Sequence, residues 1–218
     1  MKIAIDCRYL GMSGIGKYLS GILENLDFEK NDYTLVGRKE KLTEIKQNFS
    51  PAYCEDSPFS LKGLFRFPSK RVNECDVFLT PNFLIPYGIK CKIFSTIHDV
   101  VFLDIKECNN GYFDYRIKKH LLKRALACSE KVFTVSNFSQ ERIIHYFPKH
   151  SNKIIISGCS VTKDIIEYEN PNGQIDKEEI LLYVGNIKKH KGLRILLDAY
   201  ERIKKENRHY RLQIIGNA

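Results

Sequence analysis

The sequence predicts a parallel α/β sheet with helices on both faces, followed by the opening of a second unit built the same way. Three observations predict it. Short apolar runs recur without the strict polar alternation of a half-exposed sheet. Segments of helical spacing lie between those runs. After the polar stretch Tyr168–Glu179 the pattern starts again.

Lys2–Asp6 reads as a short buried strand, and Gly11, Gly14 and Gly16 form a loop after it. Ile15, Tyr18, Leu19, Ile22, Leu23 and Leu26 then recur at helical spacing as one apolar stripe. Tyr33–Gly37 is the next apolar run, and the Lys-rich Lys39–Asn48 is expected to be an exposed helix. Pro51, Pro58 and Pro68 break Ser50–Asn73, which carries no clear pattern. Asp76–Thr80, Lys92–His98, Lys131–Ser136 and Lys153–Ser157 are expected strands, with helices over Tyr112–Cys128 and Asn137–Phe147. Beyond the linker, Ile180–Val184, Leu193–Lys205 and Arg211–Ile215 make one βαβ unit. The expected division is therefore residues 1–167, a linker at 168–179, and an incomplete second domain at 180–218. One βαβ unit cannot cover both faces of its strands, so the last segment is expected to lean on the first domain, on a partner, or on residues the chain lacks.

The 218 residues are 43% apolar, enough for a packed core. No run approaches the length of a membrane-spanning helix, and Asp6 and Arg8 interrupt any secretory apolar stretch at the N-terminus. The expected location is the cytoplasm. Seven cysteines without a Cys-x-x-Cys spacing argue against both a disulfide framework and a zinc site. They read as small reduced hydrophobes, with Cys7 or Cys159 as the place for any reactive thiol. A net charge of +9 favours anionic partners, once the charge is located.

Four motifs carry chemistry. The loop containing Gly11, Gly14 and Gly16 lies between a strand and a helix, where backbone amides and the helix dipole attract phosphate; a tight turn explains the glycines equally well. His98-Asp99 closes a strand at the edge where open parallel sheets bind ligands, positioned to bond a sugar hydroxyl or move a proton. The segment from Tyr183 to Gly192 places Gly185, Lys188, Lys189 and Lys191 at a strand-to-helix turn. Lysines there oppose the helix dipole, and an anion such as a diphosphate would compensate them; a solvated basic turn is the plainer account. The Tyr112–Cys128 helix interleaves Arg116, Lys119 and Lys123 with aromatic residues, as an anionic membrane surface or an acceptor site requires; a half-buried helix with a solvated basic face is the plainer account.

In this order the segments resemble the retaining glycosyltransferases of family 4, which have the GT-B architecture of two Rossmann-like domains. GIGKYLSGILENL is similar to the family's first loop and helix, VFTVSNFSQERI to its serine-bearing strand-to-helix junction at Ser136 and Ser139, and LLYVGNIKKHKGLRILLDAY to the start of its donor domain. The resemblance implies transfer of a hexose from a nucleoside-diphosphate sugar to a saccharide or lipid-linked acceptor, in surface polysaccharide or lipopolysaccharide synthesis, with no metal, no cofactor and no nucleic acid. It implies His98 at the donor sugar, Gly14, Gly16, Gly185 and Lys191 at the diphosphate, and Lys188 in place of the arginine that Asn186 replaces. The basic Tyr112–Cys128 helix adds the expectation of a peripheral position at the inner face of the plasma membrane. The family's paired glutamates lie beyond residue 218, so a truncated chain, weakly active or inactive alone, is expected. Two rivals stand beside this reading: a non-catalytic module docked on a partner or membrane, and a nicotinamide-dependent dehydrogenase with Arg38 at a ribose phosphate, whose glycine spacing is wrong.

Overall fold

A computed structural model describes residues 1–159, 178–188, 191–206 and 209–216. The first unit contains β1 (Lys2–Asp6), α1 (Ser13–Glu24), β2 (Asp32–Gly37), α2 (Lys39–Thr43), β3 (Ser50–Tyr53), α3 (Leu61–Phe65), α4 (Ser69–Val72), β4 (Val77–Thr80), β5 (Lys92–Thr96), α5 (Val101–Asp104), α6 (Tyr112–Cys128), β6 (Ser129–Thr134), α7 (Asn137–Tyr146) and β7 (Ile154–Ile156). Its seven strands are all parallel, in the order β3-β2-β1-β4-β5-β6-β7.

Alternation along each strand explains why both faces are covered. Ala4 and Val36 pack with Phe67, Val72, Phe78 and Ala125. Their chain neighbours Ile5 and Leu35 point the other way and pack with Leu19, Leu23 and Leu42. A third cluster joins Ile97, Leu122, Leu126, Val132, Ile143 and Ile154 under α6 and α7. The apolar stripe of α1 is confirmed in Leu19 and Leu23, both buried.

Two sequence expectations need correction. The helix expected over Lys39–Asn48 stops at Thr43, and the partly buried Ile45 and Phe49 pack on the core instead of continuing an exposed helix. The unpatterned Ser50–Asn73 contains β3, α3 and α4. Pro51 is tolerated in β3 because that strand lies at the sheet edge.

A buried ion pair explains the course of Ser57–Phe67. Asp6 ends β1, and Arg8 follows in a 3-10 turn, Cys7–Tyr9. Both side chains are fully buried. Arg8 donates from Nε to Asp6 Oδ1 at 2.8 Å and from Nη2 to Asp6 Oδ2 at 2.7 Å, a two-toothed contact. Its Nη1 donates to the Gly63 carbonyl at 2.6 Å, and the guanidinium lies 4.6 Å from the Phe67 ring centre. Burial works against the charged form, but the Asp6 carboxylate more than offsets it and raises the Arg8 pKa above its ordinary value. At Gly63 a Cβ would stand 1.9 Å from the Ser57 carbonyl oxygen, so no larger residue fits.

The second unit pairs β8 (Ile180–Val184) in parallel with β9 (Arg211–Ile215), joined through α8 (Leu193–Glu206). This is the βαβ unit expected from the sequence. Leu182, Val184, Ile195, Ile214 and Ile215 are exposed. Of the expected linker, residues 168–177 lie outside the described residues.

Arg8→Met leaves Asp6 as an unpaired buried charge, and should lower stability by about 3–5 kcal/mol in urea denaturation. The double variant Asp6→Leu/Arg8→Met should recover most of that loss, because it removes both charges together.

Candidate functional site

The chain moves outward from β1 to β2 and β3, then returns to place β4 on the other side of β1. Reversal of direction at β1 and β4 opens a crevice beyond the strand ends, where open α/β sheets hold ligands. The groups around His98 gather at this edge.

His98 follows β5 and is half-buried. Its Nε2 lies 2.9 Å from the Pro81 carbonyl, just after β4. A carbonyl only accepts, so Nε2 carries the proton and Nδ1 of the neutral ring is an acceptor. Ser139, in the first turn of α7, donates from Oγ to the His98 carbonyl at 2.8 Å, and Ser136 caps that helix by accepting from Ser139 N at 3.1 Å. The Tyr18 ring packs edge-on against the imidazole, with centroids 4.9 Å apart. Tyr18 Oη lies 3.4 Å from Thr96 Oγ1 and 3.1 Å from Ser157 Oγ. One hydroxyl thus joins α1 to the ends of β5 and β7. Burial holds the His98 pKa below its ordinary value, while the Pro81 hydrogen bond and the Asp99 charge pull it partly back.

The glycine loop divides into separate roles. Gly11 adopts φ +77°, the left-handed conformation that favours glycine. Gly14 is exposed in the first turn of α1, one turn before Tyr18, with nothing within 4 Å of a Cβ built on it. No side chain caps the start of this helix. Gly14 therefore presents open backbone on the edge that carries His98. Gly16 does not fit the phosphate role expected for it. It is buried, its amide donates to the Met12 carbonyl at 2.6 Å, and a Cβ would stand 2.6 Å from the Tyr9 carbonyl oxygen. Its constraint is close packing against the chain itself.

Gly185, Lys188 and Lys191 belong to the second unit. Gly185 follows β8, and its amide donates to the Ile215 carbonyl at 2.9 Å. A Cβ on Gly216 would meet the Gly185 carbonyl oxygen at 1.8 Å, so the turns after β8 and β9 interlock through glycine. Lys188 and Lys191 are exposed between β8 and the start of α8, and the Lys191 amide donates to the Lys188 carbonyl at 2.9 Å. Lys189 lies outside the described residues.

Arg116, Lys119 and Lys123 lie on α6, away from the His98 cluster in sequence. Arg116 reaches Tyr112 Oη at 3.3 Å, Lys119 reaches Tyr115 Oη at 3.2 Å, and Lys123 is exposed. Arg124 of the same helix is a structural clamp, donating to the Ile85 and Pro86 carbonyls at 2.5 and 3.2 Å. Cys7 is buried and burial pushes its thiol pKa up, so the reactive role open to it in the sequence does not fit; Cys159 is exposed. Tyr18 and Ser157 were legible only as an apolar stripe residue and a strand terminus.

Residues 164–218 match the family model described as glycosyl transferases group 1. The O-antigen chain mannosyltransferase B of Escherichia coli is 25% identical over 141 residues, which cover 61% of this chain and 36% of that protein. The chain thus spans about a third of the length of this curated relative, 36%. Among solved structures, an alpha-glucosyltransferase in complex with UDP-glucose and DNA containing an abasic site is similar over 100% of this chain and 57% of its own, with TM-score 0.55 and 17% identity. A glycosyltransferase from Rickettsia africae ESF-5 is similar over 100% of this chain and 68% of its own, with TM-score 0.51 and 16% identity. The Rossmann-like fold described above is therefore the one found in solved GT-B glycosyltransferases.

Because the folded His98 resists protonation, the unfolded chain takes up its proton first as pH falls. The stability tied to this ring is complete above the ordinary imidazole pKa and declines below it, down to the folded pKa. Imidazole NMR should place the His98 midpoint below that of free histidine, and His98→Gln should flatten the acid limb of the stability profile. A His98 midpoint at or above the free value contradicts the burial argument.

Proposed function

We propose that this chain is the acceptor-side part, with the start of the donor side, of a retaining glycosyltransferase. It transfers a hexose from a nucleoside-diphosphate sugar to a hydroxyl of a saccharide or lipid-linked acceptor in surface polysaccharide or lipopolysaccharide synthesis. The observation that carries this reading is the group 1 family match over residues 164–218, the segment containing Gly185, Lys188 and Lys191. The kinship with a mannosyltransferase supports a hexose donor.

In this reading the departing diphosphate gathers negative charge as the glycosidic bond breaks. The Lys188 and Lys191 ammonium groups and the amides at the start of α8 stabilise that charge in place of water. Gly14 brings open backbone at the start of α1 toward the same phosphates, where a side chain would hold them off. His98 accepts a hydrogen bond from a donor-sugar hydroxyl at Nδ1, since Nε2–H is committed to Pro81. Burial favours the neutral ring, which suits an acceptor. The reading places the protein at the cytoplasmic face of a membrane, where Arg116 and Lys123 face anionic headgroups. Among the described residues no helix is long and apolar enough to cross a membrane.

A panel of UDP- and GDP-sugars assayed with the full-length protein tests the proposal. Release of nucleoside diphosphate, with the anomeric configuration kept in the product, is expected. Lys191→Ala should cut turnover at least about tenfold, and His98→Ala about 100-fold, with both variants folded. Full activity in Lys191→Ala removes the phosphate assignment.

A further inference from the structure

Asn82 is buried at the crevice edge, and only half of its side chain is used. It follows the end of β4, where the order of the strands reverses, and is 5% exposed. Pro81, the residue before it, supplies the carbonyl that lies 2.9 Å from His98 Nε2. Asn82 Oδ1 accepts from the Leu84 amide at 3.4 Å, and the Asn82 carbonyl accepts from Thr80 Oγ1 at 3.3 Å. Only oxygen can accept from that amide, which fixes the other terminal atom as Nδ2. No described residue accepts a hydrogen bond from Nδ2. Among the described residues, the side-chain atoms enclosed without a partner are Tyr9 Oη and Asn109 Oδ1. Asn82 Nδ2 is not one of them, so it keeps an opening through the surface.

The turn itself does not call for asparagine. An aspartate or serine side chain accepts from an amide two residues on equally well. What asparagine adds is a pair of N–H donors, and donors are costly to bury unmet. The position thus carries a donor that the fold leaves unused. Its loop is also held still. Arg124 donates to the Ile85 and Pro86 carbonyls at 2.5 and 3.2 Å, and the Phe83 ring stacks on Phe102 with centroids 6.1 Å apart. A donor on a loop fixed at both ends meets a ligand with little ordering left to do.

The chemistry at this edge selects the ligand. His98 Nδ1 accepts, Asn82 Nδ2 donates, and both groups are neutral. Arg8, the cation that follows β1, is committed to Asp6 and the Gly63 carbonyl. A phosphate accepts from Asn82 but has no proton for His98. Hydroxyl groups both donate and accept, so one sugar can satisfy the two residues together.

We infer that Asn82 is a sugar-binding residue: Nδ2 donates to a hydroxyl oxygen of the hexose that donates from another hydroxyl to His98. The inference rests on the reading above for the choice of a sugar as the hydroxyl bearer, and adds to that reading a contact that neither motif nor spacing marks.

Side-chain amide NMR of the 15N-labelled 218-residue chain tests it without nucleotide sugar or turnover. The Asn82 signal is assigned by its loss in Asn82→Ser, which keeps an acceptor for Leu84 and removes both amide protons. Among methyl α-mannoside, methyl α-glucoside and methyl α-galactoside, at least one should shift the Asn82 amide and the His98 ring saturably and together. Inorganic phosphate should leave the Asn82 amide in place. Asn82→Ser should weaken binding of that hexoside about tenfold, with an unchanged circular dichroism spectrum. An Asn82 amide that no hexoside moves, or one that phosphate moves instead, overturns the inference. So does undiminished hexoside binding by Asn82→Ser. Hexoside binding without release of nucleoside diphosphate in the sugar-nucleotide panel removes the transferase reading and leaves the Asn82 contact standing.

Discussion

Charge buried at the end of β1 fixes the path of a distant segment of the chain. Asp6 and Arg8 are both removed from water, and either charge alone would be costly there. Their mutual contact uses Nε and Nη2 of Arg8, leaving Nη1 for a carbonyl, and the Gly63 carbonyl supplies it. A polar requirement at the end of β1 thus dictates where a segment more than fifty residues later must pass. The same pair holds Phe67 beside the guanidinium and brings α3 to the strand-end side. The packing of Phe67 and the position of α3 follow from satisfying two ionised groups together.

This dependence explains what the sequence could and could not reveal. Strands such as Lys2–Asp6 and Val77–Thr80 announce themselves because they carry short apolar runs, Ile3-Ala4-Ile5 and Val77-Phe78-Leu79, as a strand covered on both faces requires. Helix α6 is legible from length and spacing alone. Ser57–Phe67 is not, because no local pattern encodes a guanidinium reaching in from residue 8. Lys39–Asn48 misleads for the opposite reason: its composition is helical, but Ile45 and Phe49 are drawn to the core.

The candidate site shows the same division between local and distant information. His98 and Gly14 stand out because their types and positions at strand and helix ends have a chemical use. Tyr18 looks like one more member of an apolar stripe, and only the fold sets its ring against His98 and its hydroxyl between Thr96 and Ser157. Gly14 and Gly16 are alike in sequence, yet one faces open space and the other a carbonyl oxygen. Two residues of the same type two positions apart on a helix lie on different sides, so spacing could not separate their roles.

Pro51 has a further consequence for the sheet. It sits within β3, the outermost strand on its side, and brings a residue with no amide hydrogen to an otherwise open ladder. An edge lacking a donor at its second position is a poor template for a strand from another molecule. The break in pattern that hid β3 from a reading of the sequence also guards that border of the sheet against intermolecular β-pairing, and so against aggregation at the concentrations reached during synthesis.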